Sequence, residues 1–512
     1  MSQNHANQEH AALRIAPRLI FGVLGMLCAT SSVARAQSAT EANFTVKMQQ
    51  LSDAITQTQK QLEQSQRELE RLRHQLTELQ QQIAQTNAPQ GDTATAAQLS
   101  AAVEQIREQQ AIQETQIATH EQLKIESESK YPVKVSGLVL MTGFVNTRRM
   151  DDPVTPSFVL EGGGSTGASL RQTVLGIDAR GPHLFGGRTH ADLRVDFDGA
   201  GSLSSSGANA YAGGLLRLRT VHAALDWKDT QAFFSLDRPI VAPNTPTSLT
   251  AVALPALAWS GNLWTWNPQL GITRDVPVSD AGRLRLQASL ISVNNPAPIY
   301  ASSAAITTGV VIPTTAQMSR WPGAEGRIAI LNGAEESGLQ VGVGGLFAPH
   351  QAVGGTRFNS WAGTTDYRFP LPGRLELSGS GYAGQALGGL GGGAFKDYVF
   401  LLNPLLPLGR SFRTLDNFGG WAQLKERANE HLEFNIALGT DQVPASQLRP
   451  YAGPETAYYL NLARNLTFTG NVIYRPNAYL MLSMEYRHIQ SSPVNEYTSA
   501  GDVIGIATGY RF

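Results

Sequence analysis

Arg217 and Arg219, and again Arg283 and Arg285, sit two residues apart inside segments that alternate apolar and polar side chains. On an extended chain that spacing puts both guanidiniums of a pair on one face. The same alternation assigns Arg194, Arg327, Arg374 and Arg487 to polar faces, shared with Asp192, Asp196, Asp198, Glu376 and Glu485. Residues 131–512 hold 25 Arg but only four Lys, against 27 Asp and Glu, so bulk charge is nearly balanced and the kind of base is the informative part. A guanidinium grips a carboxylate or phosphate with two parallel donors and stays charged at any working pH. Rows of such groups do one of two things. They hold small anions weakly, or they pair with neighbouring acids and stiffen the wall that carries them.

Other chemistry finds no footing. "GSGYAG" (379–384) fits Gly-x-Gly-x-x-Gly, but it lies in an alternating segment with no helix after it, where a nucleotide fingerprint needs one. There is no His-Glu-x-x-His, no P-loop and no serine elbow, and the ten histidines are scattered. No enzyme activity, metal or cofactor is expected. A formal net charge of −1 gives no reason to expect nucleic acid as a partner.

The elements that carry these residues fall into three regions. Residues 1–36 read as a signal peptide: Arg14 and Arg18, then the eleven-residue apolar run "LIFGVLGMLCA", then the cleavage site "ARA". The apolar run is too short to span a bilayer. The mature chain is expected to start near Gln37, without Cys28 and so without a disulfide. A lipid anchor on Cys28 is the rival reading, but Leu27 stands where a small residue is wanted.

Residues 37–130 carry a heptad pattern. One seam is Met48, Ile55, Leu62, Leu69, Leu76 and Ile83; the other is Phe44, Leu51, Thr58, Ser65, Leu72 and Leu79. That spacing predicts an α-helical coiled-coil stalk, which must self-associate to bury its narrow seam. Pro89 and Gly91 break it near 86–98. A weaker second coil starts at Leu99 and places Gln110, Gln113 and His120 on its seam as polar layers.

From residue 131 the texture is all strand. Sixteen segments alternate, among them "THADLRVDFD" (189–198), "RLRLQASL" (283–290) and "HLEFNIALG" (431–439). Connections alternate too. "GPHLFG", "KD", "PLP", "ANE" and "PN" are short; 148–169, 199–213, 238–268, 293–324, 385–417 and 441–463 are long. Short turns at one end and long loops at the other predict an antiparallel transmembrane β-barrel of about sixteen strands over 131–512, with lipid outside and a wet lumen inside. A soluble sandwich or propeller would pack its apolar faces on protein, and no blade-length repeat is present.

With its leader, its sixteen alternating segments, its loop asymmetry and its terminal Phe512, the chain resembles the bacterial outer-membrane porins of the sixteen-stranded, trimeric type. The added coiled coil resembles the stalk of DcaP-type porins, which take dicarboxylates. The resemblance is architectural, and no substrate is carried over from it. It implies a homotrimer in outer-membrane lipid with the stalk in the periplasm. It implies that Tyr510 and Phe512 close the last strand and mark it for the barrel-assembly machinery. It also implies that the loop after strand five, 237–267, folds inward as a constriction, bearing Asp237, Arg238, Trp259, Trp264 and Trp266. The expected function is passive diffusion of small hydrophilic solutes, chiefly anions of carboxylate or phosphate type. The alternatives are a tether or adhesin whose stalk does the work, and a barrel for hydrophobic solutes, which would need a plug that the heptad does not resemble.

Overall fold

The computed structural model describes residues 131–199, 214–293, 313–334, 337–352, 355–400, 412–452 and 458–512. The expected signal peptide and the expected stalk with its break lie outside the described residues.

Sixteen antiparallel staves form one closed sheet. They are β1 (Val133–Met150), β2 (Val159–Ser169 continued by Val174–Leu184), β3 (Gly187–Gly199), β4 (Leu215–Asp226), β5 (Thr230–Asp237), β6 (Asn267–Pro277), β7 (Gly282–Ile291) and β8 (Gly323–Asn332). The second half comprises β9 (Leu339–Gln351), β10 (Arg357–Leu371), β11 (Leu375–Gln385), β12 (Asp416–Arg427), β13 (Leu432–Gln442), β14 (Leu462–Tyr474), β15 (Leu480–Pro493) and β16 (Ser499–Arg511). Each pairs with its sequence neighbour, and β16 pairs back onto β1 from Leu138↔Arg511 to Asn146↔Val503. Closure leaves no edge, so every backbone donor and acceptor of the wall can be satisfied within it.

The period-2 pattern separates the two faces. Val139, Met141, Val145, Ile328, Ile330, Val341, Val343, Ile436, Leu438, Met484, Ile504 and Ile506 are exposed on the outside. Their neighbours in sequence, such as Thr142, Asn146, Arg327, Asn435, Glu485 and Arg487, are buried inside. Aromatic side chains flank the outer apolar band: Tyr474, Tyr479, Tyr510 and Phe512 towards the short turns, Phe347, Trp361 and Phe418 towards the long loops. Such girdles mark where a lipid bilayer meets water.

The seam is where the last residue sits. The Gly137 N–H donates to the Phe512 carbonyl at 3.0 Å, and the Phe512 N–H donates back to Gly137 at 3.1 Å. Tyr510 stacks between Tyr479 and Phe512, with centroids 6.4 Å away on each side.

Two departures from simple alternation matter for the lumen. The interval expected as a long loop, 148–169, is mostly strand: β1 runs on to Met150, and "VLEGGGSTGAS" pairs with it. Glycine carries no side chain to alternate, so that stretch hid its strand character. In β4 the register slips at Arg219, where Arg194↔Thr220 is followed by Val195↔Leu218. This bulge turns Arg217 and Arg219 inward, and then His222 and Asp226 inward as well. Unbroken alternation would have sent Val221 and Leu225 there instead.

Candidate functional site

The loop between β5 and β6, residues 238–266, lies inside the barrel. Near its start, the Val241 N–H donates to Glu325 of β8 at 3.4 Å. Asn244 then donates to the Tyr367 carbonyl of β10. Thr247 donates to the Gln423 side chain of β12 at 2.6 Å, and Ser248 donates to Glu485 of β15. Gln172, in the break within β2, clamps the next residues: it donates to the Thr250 carbonyl and accepts from Val252 and Ala253. The loop thus follows the inner wall almost all the way round.

It then crosses. The Ala253 carbonyl accepts from Arg217 of β4. Leu257 packs on Trp421 of β12 and Ala437 of β13. Four residues of extended chain reach at most roughly 14 Å, so this stretch is a crossbar between opposite sides of the lumen. Its apolar composition is explained by what it touches. Ile240, Val241, Ala242 and Leu263 join a buried cluster with Phe233, Leu346, Leu387 and Leu390.

Trp259 is the hub of the crossbar. It stacks on Phe158 at 5.1 Å and on Phe395 at 5.5 Å, and meets Tyr459 edge-on at 6.0 Å. Those three rings come from three other loops. Leu257, Trp259, Ala394 and Phe395 all have left-handed backbone, with φ of 61°, 62°, 46° and 61°. Each such residue costs about 1–2 kcal/mol, so the docking of the two loops must hold them there. Trp264 is edge-on to Trp266 at 5.6 Å, and its backbone N–H donates to Leu390 at 3.0 Å. The loop bearing Phe395 is itself tied down. Lys396 Nζ donates to the Gly393 and Leu462 carbonyls, and Asp441 accepts from the Gly393 and Ala394 N–H groups and from Tyr382. Burial pushes the Lys396 ammonium below the usual lysine range.

Seven of the eight arginines named from the sequence reach a carboxylate. Arg194 meets Asp178 at 2.6 Å. Arg217 grips the fully buried Asp196 with two donors, at 2.9 and 2.7 Å. Arg219 approaches the same carboxylate at 3.6 Å. Arg283 and Arg285 converge on Asp275, at 3.3 and 2.8 Å. Arg327 is bidentate to Asp366, with Gln287 on its third donor. Arg487 meets Glu485 at 2.5 Å. Arg374 is placed differently: it sits in the tight turn before β11 with φ of 66° and donates to the Ala428 carbonyl, away from the lumen wall. Arg217 and Arg219 both lie over the Trp266 ring, at 5.1 and 5.2 Å. Arg238, at the start of the loop, has a buried Nη1 with no hydrogen-bond partner, and Asp237 accepts from its backbone N–H.

Arg171 and Gln172 escaped the sequence reading. Arg171 bridges Asp152 at 3.1 Å and Asp198 at 3.0 Å, extending the Arg217 cluster. Both fall in the break between the two halves of β2, where no alternation exists to assign a face. A ladder of amides on the opposite wall was also missed: Gln423, Asn435 and Asn471 join hands across β12, β13 and β14 and end on Glu485. "GSGYAG" lies inside β11, as its context required. Among the described residues no cluster of His, Cys, Asp and Glu could hold a metal ion.

No protein-family model and no curated protein matches the sequence. Solved structures do. The outer membrane channel DcaP of Acinetobacter baumannii is 15% identical with a TM-score of 0.55; the match covers 75% of this chain and 99% of that one. An anion-selective porin from Comamonas acidovorans matches at 10% identity and TM-score 0.44, over 75% of this chain and 100% of that one. OmpF of Salmonella typhi matches at 12% identity and TM-score 0.44, over 74% and 98%. The likeness to DcaP establishes the fold: a sixteen-stranded closed barrel of the outer-membrane porin type.

Proposed function

We propose that this chain is an outer-membrane porin through which small hydrophilic solutes, chiefly anions of carboxylate or phosphate type, diffuse passively. One observation carries the reading. Inside a closed barrel, a loop crosses the lumen, and arginines stand at both of its roots: Arg238 where it begins, Arg217 and Arg219 over Trp266 where it ends. A crossbar narrows the passage, and guanidiniums beside it favour anions over cations there. Binding must stay weak enough to release the solute.

The ion pairs divide the arginines. Arg194, Arg283, Arg285, Arg327 and Arg487 spend their donors on wall carboxylates, which favours a structural role for them. In this reading the signal peptide directs export, the stalk stands in the periplasm, and three copies associate in the outer membrane after the barrel-assembly machinery has inserted them. Reversal potential in a salt gradient across a planar bilayer tests it. Anion preference is expected, and cation preference overturns it.

A further inference from the structure

Two guanidiniums at the root of the crossbar keep donors that the protein leaves unused. Arg219 Nη1 is buried, comes no closer to Asp196 than 3.6 Å and makes no hydrogen bond. Arg238 Nη1 is buried and makes none either. Val221 pairs with Leu236 across β4 and β5, and Arg219 and Arg238 each lie two residues beyond that pair, at the same end of the two strands. Trp266 supplies its flat surface, with the Arg219 guanidinium 5.2 Å from the ring centroid. The Nε1 of Trp264, whose ring meets Trp266 edge-on, is a third buried donor without an acceptor.

Buried polar groups in folded proteins are almost always paired, and a cluster of orphans points to an absent water or ion. These orphans are all donors, and two are charged, so what belongs there accepts hydrogen bonds and is negative. Two separate guanidinium donors suit the two oxygens of one carboxylate. An aromatic face suits a flat apolar body. Asp196, Asp198 and Asp237 stand close by, and they oppose a second negative charge on the same molecule.

We propose that this is the binding seat for a small monocarboxylate. One oxygen takes the donor of Arg219 and the other takes that of Arg238, while the body of the acid rests against Trp266. The inference rests on the pore reading and deepens it. Of the arginines facing the lumen, these two select the solute, and a carboxylate is held in preference to a halide.

The test uses purified full-length protein in planar bilayers, with benzoate as the probe in a chloride background. Benzoate is expected to block the current in a saturable way. Arg219→Gln and Arg238→Gln should each weaken block by about tenfold or more, as loss of a charged hydrogen bond does. Lys425→Gln, which removes a lumen cation paired with Glu376, should leave block within about twofold. Block that survives both arginine substitutions overturns the seat, as does succinate blocking more tightly than benzoate. An anion-selective wild-type pore that benzoate does not block overturns the seat alone. A cation-selective pore overturns the pore reading beneath it. Should a glutamine variant fail to assemble, benzoate titration of tryptophan fluorescence decides. Saturable quenching that Trp266→Phe abolishes supports the seat, and its absence in the wild type overturns it.

Discussion

The ring of Phe512 lies over Gly137: a methyl group built on Gly137 would stand 2.6 Å from Phe512 Cζ. The two residues also exchange both backbone hydrogen bonds across the seam that closes the barrel. Any side chain at residue 137 must push the ring off the wall. Gly137→Val and deletion of Phe512 should therefore both lower the yield of assembled barrel, measured as the fraction that resists detergent without heating. Barrels that do assemble should keep wild-type single-channel conductance, because the seam contact is far from the crossbar.

Arg327 and Asp366 form a bidentate pair that water does not reach, at 2.6 and 2.8 Å, with exposures of 3% and 0%. Removing one partner strands the other's charge. Arg327→Met should cost about 3–5 kcal/mol in urea unfolding of the folded barrel. The double variant Arg327→Met with Asp366→Leu should recover most of that loss. A double variant no more stable than the single one would show that the pair is worth more than its burial costs.

Trp259 touches rings from three other loops, and each aromatic contact is worth about 1 kcal/mol. Trp259→Ala should loosen the crossbar without opening the wall. Larger single-channel conductance and noisier open-state current are expected, with detergent resistance unchanged.

Asp151 opens the loop after β1 and accepts from the Ser157 and Phe158 N–H groups, at 2.8 and 3.0 Å. Loss of water around its carboxyl pushes it up to about 6 from 3.8, against the pull of those N–H groups, although the residue as a whole keeps an exposed surface. The folded loop then holds the proton more tightly than the unfolded chain does. Its contribution is fullest below the unfolded value and is lost as pH rises through about 6. Amide exchange at Ser157 and Phe158, corrected for intrinsic rates, should be slower at about pH 5 than at about pH 7. Asp151→Asn should remove the difference.

The sequence by itself determined the wall. Strict alternation over strand after strand fixes which face is apolar, and an apolar face repeated that often has to meet lipid. Short and long connections fix which staves neighbour each other, and an apolar loop with three tryptophans, 237–267, has to find cover. These are local properties, readable from side chains a few residues apart. Tertiary structure decided the lumen. That Arg217 takes Asp196 while Arg219 is left short depends on a one-residue bulge. That Gln172 clamps Thr250, or that Trp259 reaches Phe158 and Phe395, depends on segments separated by tens to more than a hundred residues. Alternation says which way a side chain points, but only register and loop docking say what it meets there.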